Sequence, residues 1–306
     1  MDLAITPLPG GFGARVETDL ARTTGSTAAR ALTEALHRHR VLVLPDQHLS
    51  HADLLAAAAL FGDVDTATDR RYTVPGFPGL TVVSNIHDQD GMPIGIYDGD
   101  HEEEWHADNS FKPELTAATL LYSVITPAEG GETRFADATR AYADLPTGLR
   151  DRVDRLNAVH SVQHLAAQQA DAGGGCSSTQ AGTLAHLPAT THPLAPVHPA
   201  TGARALLLGS MAIPRLEGLP ETDGQALLAD LLAHTTDPGY LYTHHWKQGD
   251  LVVWDNLATL HTASPCDSSR HRRLLVRAAV RQPTRRPGPS DGGIPAEPPV
   301  SGPIRH

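Results

Sequence analysis

A chain of 306 residues, 40% of them hydrophobic, is long enough for one large domain with a substantial core. Its net charge of -11, with lysine only at Lys112 and Lys247, excludes the basic face that a nucleic-acid or anionic-membrane partner would need. There is no run of about 18 apolar residues and no charged-then-apolar leader, so a soluble, cytoplasmic protein is expected.

In chain order, residues 28–39 carry the helical period, with Ala31, Leu32, Ala35 and Leu36 on one face. Residues 40–44 follow as a strand closed by Pro45-Asp46. Ser50 and Asp53 read as an N-cap and its capping-box partner for a second helix over 52–61. Residues 81–84 and 116–125 are strand-like. Residues 168–182, with Gly173-Gly-Gly-Cys-Ser-Ser178 at their centre, are expected to form a mobile loop over a site's mouth, a functionless insertion being the alternative. Residues 197–208 read as a hairpin turning at Pro199-Ala-Thr-Gly202, and Thr222 with Gln225 as a capping box before a helix over 226–234. Gly249-Asp250 reads as a turn into a buried strand that reaches Trp254-Asp255-Asn256, and residues 272–280 as an apolar strand. After Arg281 comes a Pro/Gly-rich tail expected to be disordered, which leaves residues 1–281 as the domain. Many short strands between Gly/Pro turns predict a mainly β sandwich or barrel with flanking helices. The two cysteines, Cys176 and Cys266, make no framework; both are expected reduced, with a single bridge left open.

Eighteen histidines and 35 acidic residues would give about two His-x-Asp/Glu triplets by chance, and three occur, so each must be judged physically. His51 and Asp53 fall in the expected second helix, where positions i and i+2 diverge, so they should not chelate. His101 and Glu103 lie in the acidic run that ends at Glu104, which reads as solvated. His106 and Asp108, in Trp105-His-Ala-Asp-Asn-Ser-Phe111, suit a strand, on which both side chains point to one face and can converge on an ion. Two imidazoles and a carboxylate would occupy one triangular face of an octahedral metal and leave three positions open, the arrangement of non-haem Fe(II) oxygenases. His261, after the buried strand, is the third candidate. Arg273 and Arg277, four apart on an apolar strand, share a face, and an inward-facing arginine is costly unless it meets an anion. Its planar fork suits a carboxylate.

These pieces resemble the taurine dioxygenase family of Fe(II)- and 2-oxoglutarate-dependent oxygenases, which includes chlorophenoxyacetate dioxygenases. The matching blocks run in the family's order over roughly residues 2–281: His39-Arg-Val-Leu-Val-Leu-Pro-Asp-Gln47, Leu60-Phe-Gly-Asp63, the Trp105–Phe111 motif, Pro127-Ala-Glu-Gly-Gly-Glu-Thr133, His192-Pro, His198-Pro-Ala-Thr-Gly202, Trp254-Asp-Asn256, His261 and the arginine strand. Any one block is weak; the ordered set is specific.

The resemblance implies a double-stranded β-helix (a cupin-like jelly roll), Fe(II) held by His106, Asp108 and His261, and 2-oxoglutarate as cosubstrate with O₂. Arg273 and the Thr133 hydroxyl would meet the distal carboxylate of 2-oxoglutarate. The expected reaction oxidises an unactivated C–H of a small molecule and releases succinate and CO₂. Hydroxylation is the default outcome; desaturation, cyclisation or oxidative cleavage would use the same ligands. Related halogenases have Gly or Ala where this chain keeps Asp108, which argues against halogenation. Arg277 matches the position that grips an anionic group of the substrate, its alternatives being a structural arginine or a second cofactor contact. Asn109 and Glu102 flank the metal motif where they can reach substrate. A carboxylate at Glu102 would favour an amino group, so an anionic or amino-acid-like substrate is expected. The segment 63–68 lacks the histidine of taurine-type members, so taurine itself is not expected. His192 and His198 should orient backbone, His244 and His245 should be packing and surface groups, and Trp254-Asp255-Asn256 should support His261. A zinc hydrolase or a non-catalytic jelly-roll binding protein stays open as an alternative, and homo-oligomerisation is not decided by the sequence.

Overall fold

The computed structural model describes residues 3–67, 69–97, 99–100, 102–171, 182–209 and 212–281. Cys176, His101, the core of the expected mobile loop and the expected tail lie outside the described residues. Among the described residues, no helix is long and apolar enough to cross a membrane.

The segment Leu251-Val-Val-Trp254 has no polar alternation because it becomes a central strand covered on both faces. This is β13 (Leu251–Asp255), which lies between β3 (Val41–Leu44) and β7 (Thr116–Ile125) in the large sheet. Outward from β3 come β2 (Ala14–Glu17) and β1 (Ala4–Pro7). On the far side of β7 come β15 (Leu274–Arg281), β6 (Phe77–Ser84) and β5 (Thr73–Val74), with β4 (Asp63–Val64) pairing the end of β15. A smaller sheet has β8 (Thr133–Asp137) between β12 (Leu241–His244) and β14 (Thr259–Ala263). A third sheet has β9 (Asn157–His160) between β10 (Thr190–Pro193) and β11 (Arg215–Leu216).

Strand alternation sorts the side chains. On β7 and β15, Leu120, Val276, Ala278 and Val280 face outward, into the core beneath α1 (Ser26–His39) and α2 (His51–Ala58). Their neighbours Leu121 and Leu275 face inward and meet Phe135 of β8 and Trp254 of β13. The two sheets thus close on each other as the expected double-stranded β-helix, and inward-facing Thr119 and Arg277 lie at its open end. A second core, under α3 (Ala138–Ala143), α4 (Thr147–Val153) and α6 (Glu221–Thr235), backs the smaller sheet, while α5 (Val162–Asp171) reaches over the mouth.

Several local expectations need correction. Helix α1 begins at Ser26, two residues before the expected start, and buries Ala28 with Leu32, Ala35 and Leu36, while Ala31 is half-buried. The capping box at Ser50 forms as read, but α2 ends at Ala58, short of Phe61. Helix α6 starts at Glu221 with Pro220 at its cap and no side-chain cap bond; Gln225 donates instead to the carbonyls of Ile213 and Pro214. Of the hairpin over 197–208, the turn persists with Gly202 at φ 72°, but the ladder shrinks to the single bridge Val197–Arg204. Residues 168–171 continue α5 and do not open a loop.

Candidate active site

His106 sits on an extended segment joined to β14 by one isolated bridge, the reciprocal bonds between His106 and His261. Pairing places both imidazoles on one face, with ring centroids 4.2 Å apart. Asp108, two residues on, lies on that same face. One ligand atom from each of His106, Asp108 and His261 lies within 4.8 Å of the other two.

Each of the three is held. His106 Nδ1 is 2.7 Å from the Glu104 carbonyl, which fixes the proton on that nitrogen and leaves the Nε2 lone pair free for a metal. His261 packs between Trp254 and Phe135; its Nδ1 is buried without a hydrogen-bond partner among the described residues, so packing orients the ring. Burial, with His106 and Arg277 nearby, holds its pKa down at about 3 against the pull of Asp108, so the ring is neutral at pH 7. Asp108 accepts from the Thr119 hydroxyl at 2.8 Å and from Arg277 Nη1 at 2.8 Å. Burial alone would raise its carboxyl, but Arg277, the two imidazoles and the Thr119 hydroxyl outweigh that and hold it well below the usual carboxylate range. Its backbone is clamped by Asn256, which accepts from the Asp108 N–H (2.8 Å) and donates to the carbonyls of Asp108 (3.1 Å) and Thr116 (3.0 Å). The Trp254-Asp255-Asn256 block therefore supports both sides of the triad: Trp254 packs on His261, and Asn256 fixes Asp108. The Asn256 clamp was not legible beforehand, because its partners lie 148 and 140 positions away.

Across the cavity, Arg273 is 1% exposed. Its Nε donates to the Gly131 carbonyl at 3.0 Å and its guanidinium lies 4.4 Å over the Tyr97 ring. Its Nη1 is buried with no hydrogen-bond partner among the described residues, and burial lowers its pKa. The Gly130-Gly131 pair makes this packing possible. Gly131 has φ 70°, and a Cβ there would come within 2.9 Å of Arg273 Cδ. Buried Thr133 accepts from Trp246 Nε1 at 3.1 Å. A hydroxyl that accepts from an indole keeps its own proton to donate. A buried guanidinium with an unmatched donor, beside a hydroxyl free to donate, fits the carboxylate end of 2-oxoglutarate.

The triad and the Arg273 pocket open into one cavity of about 390 Å³. Arg277 lines it while bonded to Asp108. Asn109, at φ 54°, donates to the Thr116 hydroxyl at 3.0 Å and also lines the cavity, so part of its role is to hold the turn after Asp108. Glu102 and Glu103 depart from expectation. Glu103 N–H bonds the Ala263 carbonyl while His106 pairs with His261, so three steps on one strand are spanned by two on the other. The resulting bulge leaves Glu104 as the extra residue and turns Glu103 onto the face of His106. Glu102 also lines the cavity, but its carboxylate forms an ion pair with Arg134, whose guanidinium lies over Trp105. Glu102 therefore meets a cation of the protein itself, and Glu103, read as solvated, is half-buried in the cavity wall.

A second His/Asp group, His37, His198 and Asp255, has similar spacing. His198 Nδ1 accepts the backbone N–H groups of Ala200 and Thr201, which puts its proton on Nε2 facing Asp255 at 3.1 Å. Neither nitrogen of His198 then offers a free lone pair, so His198 supports the turn at 198–202 through its two backbone bonds. His192 orients backbone as expected, with Nε2 3.0 Å from the Lys112 carbonyl. His244 is buried against Asp250 and Trp246, and His245 is exposed. Cys266 is a free, buried thiol.

The family model described as "Taurine catabolism dioxygenase TauD, TfdA family" matches residues 4–279. The chain is 32% identical to the alpha-ketoglutarate-dependent 2,4-dichlorophenoxyacetate dioxygenase of Cupriavidus pinatubonensis, over 90% of this chain and 96% of that one. It is also 32% identical to the pentalenolactone F synthase of Streptomyces avermitilis, over 89% and 92%. Among solved structures, AAD-2 in complex with Mn(II) and N-oxalylglycine superposes with a TM-score of 0.74 at 28% identity, covering 93% of this chain and 99% of that one. A putative alpha-ketoglutarate-dependent taurine dioxygenase from Burkholderia xenovorans also scores 0.74, at 26% identity over 92% and 90%. The chain belongs to the TauD/TfdA family and is a 2-oxoglutarate-dependent dioxygenase that uses Fe(II) and O₂ and acts on a small molecule.

Proposed function

We propose that His106, Asp108 and His261 ligate Fe(II), that Arg273 and Thr133 bind the distal carboxylate of 2-oxoglutarate, and that the enzyme hydroxylates an unactivated C–H of a small molecule bearing an acidic group. The observation that carries this reading is the opposition of two features across one cavity: three ligand atoms within 4.8 Å of one another, and the buried, unpartnered Nη1 of Arg273. When bound there, Fe(II), 2-oxoglutarate and O₂ supply the oxidation, which releases succinate and CO₂.

The chain's own part is positional. Neutral imidazoles at His106 and His261 and an ionised Asp108 make one charged and two neutral ligands on a single face, so three metal positions stay open. Arg277 keeps Asp108 ionised and oriented, and the rest of its fork remains in the cavity wall, where it meets the acidic group of the substrate. Asn109 lines the same wall and assists it. Phe111, Val162, Leu165 and Leu184 form an apolar cluster along the cavity and receive the hydrocarbon part of the substrate. The reading places the enzyme in the cytoplasm, which supplies 2-oxoglutarate and keeps Cys266 reduced, with neither nucleic acid nor membrane as partner. The chain's net charge of -11 supports the last point.

The test is anaerobic titration of the metal-free protein with Fe(II) and 2-oxoglutarate while the weak visible charge-transfer band of the chelate is followed. The band should appear in the wild type and be absent in Asp108→Ala at the same concentrations. Tight zinc binding without a band in the wild type would overturn the assignment.

A further inference from the structure

One carboxylate that lines the cavity has neither a salt-bridge partner among the described residues nor a task in the reading above. Glu103 is turned inward by the bulge opposite Ala263, into the same row of the smaller sheet as Thr133, because Ala263 pairs with both. Its carboxylate makes no hydrogen bond or salt bridge among the described residues, and Glu103 lines the cavity with Arg273 and Arg277. Its neighbours in the run are engaged otherwise: Glu102 is paired with Arg134, and the Glu104 carbonyl faces His106.

Pairing decides what Glu103 can meet. Arg277 is bonded to Asp108, and in the reading above the distal carboxylate of 2-oxoglutarate takes the free donor of Arg273. Asp65, Asp69 and Glu102 also line the cavity, and each has a cation of the protein: Lys112, Arg71 and Arg134. The Glu103 carboxylate has none among the described residues. An unpaired carboxylate in a half-buried wall is costly, and a cation beside it removes that cost. A substrate that brings an ammonium together with its acidic group supplies that cation.

We propose that Glu103 is a specificity-determining residue that pairs with a cationic nitrogen of the substrate, so that the enzyme selects a small zwitterion over the corresponding carboxylate. Its acidic group is held by Arg277, its ammonium by Glu103, and its apolar part by the wall of Val162, Leu165 and Leu184. This rests on the metal and cosubstrate assignment above.

The probes are apolar L-amino acids in matched sets with their deaminated acids and their decarboxylated amines. Each is added to the anaerobic Fe(II)–2-oxoglutarate enzyme, and the shift of the charge-transfer band gives its affinity. The wild type should bind each amino acid about 10- to 100-fold more tightly than its deaminated partner, the factor expected of one charge-assisted contact. Glu103→Gln should abolish that preference, and Glu102→Gln, whose carboxylate is already held by Arg134, should retain it. Equal or tighter binding of the deaminated acids by the wild type, no binding by any nitrogen-bearing probe, or loss of the preference in Glu102→Gln instead would overturn the proposal. A wild type that shows no band at all would instead mark the failure of the metal and cosubstrate assignment.

Discussion

Replacement of Arg273 by methionine should move two quantities in opposite directions. The side chain is 1% exposed, no carboxylate forms a salt bridge with it among the described residues, and its Nη1 has no partner. A buried cation without an anion destabilises the cosubstrate-free fold, and the neutral thioether removes that cost while keeping most of the volume against Tyr97. The change also loses the bond from Nε to the Gly131 carbonyl, a net contribution of about 1 kcal/mol. The cosubstrate-free variant should therefore melt at or above the wild-type temperature. Binding should behave oppositely. Truncating one partner of a buried charge pair costs about 2–5 kcal/mol, so the Kd for 2-oxoglutarate should rise about 30- to 5000-fold. The assay is thermal unfolding with Fe(II), with and without 2-oxoglutarate. At about 100 times its Kd the cosubstrate stabilises the wild type by about 2.7 kcal/mol, a rise of roughly 5 °C. The variant should gain nothing at that concentration. A variant that melts much lower without 2-oxoglutarate, yet still gains the wild-type increment with it, would refute the assignment of Arg273 as the cosubstrate's anchor.

Three further outcomes are expected. Asn256→Ala removes three bonds around Asp108 and Thr116; it should lower stability by about 2–4 kcal/mol and weaken Fe(II) binding about 10- to 100-fold, and unchanged metal affinity in titration would count against the clamp. Trp246→Phe keeps the ring beside His244 but removes the donor to Thr133, so 2-oxoglutarate binding should weaken about 2- to 10-fold with little change in melting temperature. Buried His160 has no hydrogen-bond partner for either ring nitrogen among the described residues, and its pKa is pushed down to about 3, mainly by burial and secondarily by His192. Because the folded value lies below the unfolded one, the unfolded state binds the extra proton between them. Stability is thus fully present above about pH 6.5 and falls with acid towards about pH 3, by up to roughly 1.4 kcal/mol per pH unit from this residue. His160→Phe should flatten the acid limb of the urea-midpoint profile of the metal-free protein between pH 7 and pH 5, and an unchanged slope would sink this account.

The convergence of His106 and Asp108 was legible because alternation on extended backbone is a local rule. The two share a face while the chain between them stays extended, and helical period removes His51 and Asp53 from the same competition. Arg273 was legible for an energetic reason: an apolar strand that carries an arginine inward must offer it to an anion. The Asn256 clamp and the Trp246 donor were not, because each acts through a single bond whose partner is set by sheet assembly; Trp246 and Thr133 stand 113 residues apart. Capping signals were mixed for a related reason. Ser50 and Asp53 succeeded since both partners sit in one turn, whereas Gln225 lies close to the carbonyls of residues 213 and 214 and bonds there instead.

The acidic run at 102–104 marks where local rules stop. Strict alternation back from His106 would put Glu104 and Glu102 on the metal face and Glu103 on the other. One extra residue between the His106–His261 bridge and the bond from Glu103 N–H to the Ala263 carbonyl reverses that order upstream and leaves it intact downstream, where Asp108 still follows His106. All three glutamates line the cavity, but they are engaged differently: Glu102 meets Arg134, while the Glu103 carboxylate has no hydrogen bond or salt bridge among the described residues. The proposed ligands and the proposed substrate contact are thus set by separate features of one segment. Moving the extra residue by one position would exchange Glu103 for a neighbour without disturbing His106 or Asp108, so on the proposed roles specificity can change while the ligand set stays constant.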